Sequence, residues 1–198
     1  MTPAFVVLDA DRANNEYCKL SKTPPEMEFS YRPSRAVAMG DRYTAPLDFP
    51  MSSRFGGKKV PDRIHTTFGY YIASDRLKRL IEPEVGPQEA EYLPIQLVDH
   101  KGKQLQDPYW VVNLLLTIDC IDLAKSEYVQ DPMIDDRLFF MYLKKLVLDP
   151  AKSPPDRRIF RLPQMPRVHL VREDLVAEMA AAGITGQVSI RQGEPMLM

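Results

Sequence analysis

A chain of 198 residues, 44% apolar and 27% charged, is long enough to bury a core without disulfide or metal staples, and its composition is that of a globular protein. A net charge of −1 supplies no global field for nucleic acid or an acidic ligand, and the longest apolar run falls well short of the ~20 residues that a membrane span needs. Eighteen prolines, about twice the usual share, predict much ordered loop.

Phe5 to Leu8 reads as a short strand. Met1-Thr2-Pro3 before it lacks the order of a signal peptide, which makes the cytoplasm the expected compartment. From there to Pro61 the sequence is punctuated by Asn, Pro and Gly, yet apolar residues recur, which predicts a wrap of extended segments and loops over the core. Ser74 is placed to cap a short helix over 75–82, its hydroxyl accepting from a first-turn amide. Tyr92 to Asp99 alternates like a strand, with Pro94 suggesting a sheet edge or strand start, and His100-Lys101-Gly102-Lys103 predicts a hairpin into the next strand.

That next stretch, Tyr109 to Ile118, is almost unbroken aromatic, β-branched and leucine side chain, the pattern of a strand buried on both faces. A polar end follows, with Asp119, Asp122 and Ser126, and then a loop over 128–136. Leu143 to Leu148 reads as a strand that pairs, across a proline-stiffened turn, with Arg158 to Leu162. Val168 to Val171 is extended, Glu173 to Ala182 is helical with Gly183 just past its end, and Ile184 to Ile190 closes the fold. The expected class is α+β in a single domain over 1–198: a mixed, mainly antiparallel sheet, a few short helices and long ordered proline-rich loops. Residues 1–60 form the wrap, 61–190 the core and 191–198 a tail.

Asp119 and Asp122 beside Cys120 are the inventory of an acid–base or nucleophilic site, but a strand turning into a capped helical turn looks the same, and no histidine lies near. His65, His100 and His169 are scattered, Cys18 and Cys120 isolated, and the nine glycines too thinly spread to cradle a phosphate. No catalytic residue, metal site or cofactor is expected, and both thiols read as inert. Charge is uneven. Residues 144–172 carry eight basic side chains against two carboxylates, while 119–137 carries six acids against two bases. A basic face for nucleic acid is one reading; partial pairing between the two segments is the plainer one, and it is favoured because no aromatics interleave the bases.

Several stretches stand together in a telling order: Pro61-Asp62, Ile72 to Lys78, Tyr109-Trp110-Val111-Val112-Asn113 running into Ile118 to Asp122 and Lys125-Ser126, Ile159 to Leu162, and Leu175 to Gly186. The set resembles a bacterial domain family assigned as immunity proteins of polymorphic toxin systems, the eleventh-numbered class. The resemblance covers residues 61–190. It departs at Arg172, where the family tends to place a Ser that would cap the last helix. The resemblance implies an antitoxin that binds a cognate protein toxin with no chemistry, membrane or nucleic acid of its own. Trp110, Asn113, Asp119, Asp122, Ser126 and Arg161 are then fold-makers, and the acidic loop residues Asp131, Asp135 and Asp136 are candidate contacts for a basic toxin cleft. The alternative is a small enzyme or nucleic-acid-binding domain using the Asp119/Asp122 end or the basic 144–172 segment.

Overall fold

A computed structural model describes residues 4–44, 46–133 and 138–196. In chain order the strands and helices are β1 (Phe5–Ala10), β2 (Lys19–Leu20), β3 (Leu47–Pro50), β4 (Arg63–Thr66), β5 (Ile72–Ser74), α1 (Asp75–Ile81), β6 (Ala90–Val98), β7 (Tyr109–Leu114), β8 (Glu127–Gln130), β9 (Phe140–Lys145), β10 (Ile159–Leu162), β11 (Met165–Arg172), α2 (Glu173–Ala181) and β12 (Gln187–Arg191). One sheet has the order β2-β4-β5-β7-β6-β3, a second β10-β11-β1-β12, and β8 and β9 pair as a hairpin. Among the described strands only the pairs β2/β4 and β3/β6 are parallel, so the expected α+β class with a mixed, mainly antiparallel sheet holds.

β7 is at the heart of the larger sheet and is buried on both faces, as its unbroken apolar run requires. Tyr109 and Val111 pack into a core shared with Leu20, Met39, Phe49 and Ile64; Val112 and Leu114 point the other way, towards Leu77, Ile159, Leu175 and Met179. Each such Val or Leu contributes about 1.5–3 kcal/mol through its removal from water. A third core lies between the smaller sheet and the β8–β9 hairpin, around Phe5, Phe140, Leu143 and Phe160. The sheets are joined where the chain beyond β7 runs beside β10: Ile118 N donates to Arg161 O and Arg161 N to Leu116 O.

The helix signals behave as their chemistry dictates. Ser74 Oγ accepts from Leu77 N at 3.2 Å, capping α1. Gly183, with φ of 69°, closes α2 through Gly183 N to Ala180 O and Ile184 N to Met179 O. At Arg172 no side chain caps α2; Glu173 N instead donates to Ala4 O, and Arg172 grips Asp174 through two 2.8 Å bonds.

Three expectations need correction. Pro94 is inside β6, a strand with neighbours on both sides; its missing N–H is tolerated because the β3 ladder begins only at Ile95. Residues 128–130, part of the stretch expected as loop, belong to β8, which pairs with β9. The strand expected over 143–148 is instead β9 at 140–145, and β10 pairs with β11. Residues 146–149 are captured by the polar end after β7: Asp122 N donates to Val147 O and Asp149 N to Cys120 O.

Candidate partner-binding site

Between Met27 and Tyr43 the chain has no strand, only single 3-10 turns at Pro33–Arg35 and Gly40–Arg42. Side chains of the larger sheet and its neighbours hold it. Tyr70 Oη donates to the Ser30 carbonyl, and Arg161 Nη1 donates to Pro33 O at 2.7 Å. Asn113 Nδ2 donates both to Val37 O and to the Glu91 carboxylate, each at 2.9 Å. Glu91 also accepts from Met39 N and Gly40 N at 2.8 Å, and Tyr43 Oη donates to Pro94 O. Glu91 and Asn113 are register partners on β6 and β7, so the sheet itself sets the clamp. Hydrogen bonds to a charged group contribute about 1.5–3 kcal/mol each, enough to fix a segment in which Phe29 and Ala36 adopt left-handed φ values of 55° and 56°.

Held this way, the segment exposes Phe29 and Tyr31 to solvent. Arg32 and Arg42 sit over the Phe29 ring and Arg35 over Tyr31, at 5.1–5.5 Å from the ring centroids. Aromatic rings and arginines are the residues that most often anchor protein interfaces.

Beside this segment, where the two sheets meet the hairpin, is a cleft of about 470 Å³. Its walls carry four arginines, Arg12, Arg35, Arg63 and Arg167, against two carboxylates, Asp9 and Asp131. Asp9 is committed to Arg12 at 2.8 Å. Arg63 is 5% exposed, stacks on the Tyr71 ring at 3.4 Å, and has no carboxylate within ion-pairing distance among the described residues. Gly186 packs so close that a Cβ there would lie 2.4 Å from Arg63 O, which fixes the strand that carries this arginine. Behind it, between the sheets, Arg161 and His169 are register partners and 1% exposed, with His169 edge-on to Tyr71. Burial, with Arg161 and Arg63 nearby, holds His169 well below its usual pKa, so it is neutral. His65, at the cleft wall, is likewise lowered, by burial first and then by Arg12, Lys19 and Arg63 acting against Asp9.

The other residues singled out by sequence are dispersed. Trp110 is half-buried under Lys78 Nζ, 5.0 Å from its ring. Asp119 is exposed. Asp122 closes a surface turn with Lys125 at 2.8 Å, and Ser126 Oγ donates to Val147 O and accepts from Val147 N. Cys120 is sealed, and burial, with Asp119 and Asp149 near, pushes its thiol up to about 12; burial does the same to Cys18. Neither Asp119 nor Asp122 lines the cleft. Asp131 lines the cleft, and its carboxylate accepts from Met133 N; Asp135 and Asp136 lie outside the described residues.

The basic 144–172 segment is largely neutralised, though mostly by acids other than those of 119–137. Arg158 meets Glu84, Asp174 and Glu178, Arg157 meets Glu89, and Arg172 meets Asp174; among the described residues only Lys145 reaches back, to Glu127 at 3.7 Å. Sequence reasoning passed over Arg63, Glu91 and Tyr70. The alternation Arg63-Ile64-His65 was the one available signal, since it puts two polar side chains on one strand face.

Among the described residues no group of three or more His, Cys, Asp or Glu is placed to hold a metal ion, and no helix is long and apolar enough to cross a membrane. No curated protein matches the chain. The immunity protein family (Imm11) matches it over residues 8–193, reaching through the wrap as well as the 61–190 stretch that carries the resemblance. With nearly its whole length covered by that match, the chain belongs to the immunity protein family (Imm11).

Proposed function

We propose that this protein binds a cognate effector toxin and neutralises it by covering a surface the toxin needs, without chemistry of its own. The observation that carries this reading is the family match across residues 8–193. The physical layout supports it. An interface of this kind needs rigid aromatic and arginine anchors, and the 29–42 segment offers them on a backbone fixed from beneath.

On this reading the motif residues Trp110, Asn113, Asp119, Asp122, Ser126 and Arg161 are scaffold, and Asn113 and Arg161 serve binding indirectly by holding the display segment. Asp131, which lines the cleft, together with Asp135 and Asp136 a few positions further along the sequence, supplies a second contact, steering a basic patch of the toxin. The alternative of a small enzyme at the Asp119/Asp122 end is weaker, because Asp122 is engaged by Lys125 and the Cys120 thiol is both sealed and protonated.

The test is affinity purification of the full chain from its native cell. A stoichiometric protein partner whose toxicity the chain suppresses is the expected result. Recovery of the chain alone, together with failure to suppress the product of any neighbouring toxin gene, rejects the reading. Reversing Asp131, Asp135 and Asp136 together is expected to slow association and weaken its salt dependence; unchanged kinetics removes the acidic loop from the interface.

A further inference from the structure

We propose that the cleft between the sheets is a receptor for a carboxylate presented by the protein partner, an Asp or Glu side chain inserted between Arg35, Arg63 and Arg167. This rests on the toxin-binding reading above and names the chemistry at its centre.

The argument starts from Arg63. A guanidinium withdrawn from water is expensive unless it is paired. Here the side chain is 5% exposed, and its polar contacts are a long 3.4 Å bond from Nη1 to Tyr70 O and the face of Tyr71. Its Nε finds no partner among the described residues. Behind it the equally buried Arg161 adds a second positive charge, and that one is spent on the carbonyls of Pro33 and Val112. The nearest acid on the cleft wall, Asp9, is already bound to Arg12. Arg63, with the charge of Arg161 behind it, therefore meets no carboxylate within ion-pairing distance among the described residues, and the exposed Arg35 and Arg167 line the same cleft.

The rest of the lining selects among anions. Phe68, Phe140 and Met165 contribute apolar wall beside the arginines. A short aliphatic stem ending in a carboxylate suits such a surface, the stem against the rings and the oxygens against the guanidinium forks. A nucleic-acid backbone would need an open basic track, whereas here Asp9 and Asp131 interrupt the arginines of the lining. Since Arg35 also stacks on Tyr31, the receptor is continuous with the aromatic display segment, so one acidic side chain would be gripped where the interface is already anchored.

The experiment uses the full chain with the partner recovered as above. Arg35→Ala and Arg167→Ala change exposed residues, and these variants, like Arg63→Gln, are accepted only if the thermal transition remains cooperative. Each is expected to weaken the complex about 10- to 100-fold, and one Asp or Glu of the toxin is expected to be coupled to Arg63 in a double-mutant cycle. If the toxin binds the native chain and all three variants equally, the receptor is refuted while the immunity reading stands. If no protein partner exists, the immunity reading fails and thermal denaturation decides for the cleft alone, with sodium glutarate or phosphate compared against sodium chloride at equal ionic strength. A saturable rise in Tm that is lost in Arg63→Gln retains an anion receptor, now for a free small anion, and no rise overturns it. Salt-dependent capture of a single-stranded oligonucleotide that is lost with Arg35→Ala also overturns it.

Discussion

Two arginine-rich regions of this molecule have opposite fates. In the outer one, Arg157, Arg158 and Arg172 are each within 4 Å of one or more carboxylates, at least partly wet, and close to electrically silent. In the inner one, Arg63 and Arg161 are buried, ring-stacked or carbonyl-bound, and meet no carboxylate within ion-pairing distance among the described residues. The first region lies in a stretch conspicuous in the sequence, 144–172 with a local excess of six positive charges; the second draws Arg161 from that same stretch and joins it to Arg63, far away in the chain. Charge density along a sequence therefore says little about field in the fold. What matters is whether distant acids arrive, and Glu84, Glu89 and Glu178 arrive at the outer group alone.

The largest effect that would sharpen this contrast is expected at Arg161. Arg161→Ala removes the tie to Pro33, opens a cavity between the sheets and frees the display segment, for a loss of about 3 kcal/mol, or roughly 6–12 °C in Tm. Arg158→Ala, although it deprives three carboxylates of a partner, is expected to lose only about 1 kcal/mol, because solvent screens what remains. Denaturant unfolding of both variants checks the ranking, and hydrogen exchange of the amides over 37–40 should rise in the Arg161 variant alone. A greater loss at Arg158 would dissolve the distinction between the regions.

Much of the scaffold around these arginines was legible, for reasons visible residue by residue. β7 is read from its unbroken apolar run because nothing else buries both faces of so short a segment. Ser74 and Gly183 are local chemistry, and local chemistry survives folding. Three of the resembling motifs meet at one knot: Asp62 accepts from Ser74 Oγ at 2.6 Å and from Thr185 N and Oγ1 at 3.0 Å. The hairpin of β8 and β9 was not legible, since Glu127–Gln130 is mostly exposed and carries no alternation to announce a strand. Nor was the clamp on 27–43. It depends on Glu91 and Asn113 meeting across β6 and β7 and on Arg161 reaching 128 residues back to Pro33, and no pattern in the chain encodes such encounters.

A smaller effect tests the inner region through pH. His169 lies against Tyr71 with Arg161 and Arg63 near, and its pKa is well below 6.5 in the folded protein. A base whose pKa falls on folding binds fewer protons folded than unfolded. Its contribution is thus intact above about pH 6.5 and declines below it, by up to about 1.4 kcal/mol per pH unit, until the folded pKa is reached. Stability measured by denaturant from pH 7 to pH 5 should fall less steeply in His169→Phe, which keeps the ring against Tyr71. Parallel curves for the two proteins would show that burial and, after it, the nearby Arg161 and Arg63 do not keep a proton off His169.

The smallest effect belongs to the polar end past β7, which the sequence marks most clearly as a place for chemistry. Asp119 is exposed and engages no side chain within ion-pairing distance among the described residues, so Asp119→Ala should change stability by no more than about 0.5 kcal/mol. Asp122→Ala removes a surface ion pair and the carboxylate that accepts from Lys125 N, and a slight loosening of the 122–126 turn is the expected result. Neither replacement should alter affinity for the partner, because neither residue touches the cleft or the display segment. If the Asp119 variant folded normally but lost partner affinity more than the Arg35 variant did, the binding surface would lie at this end of the molecule, and the unpaired inner arginines would need another explanation.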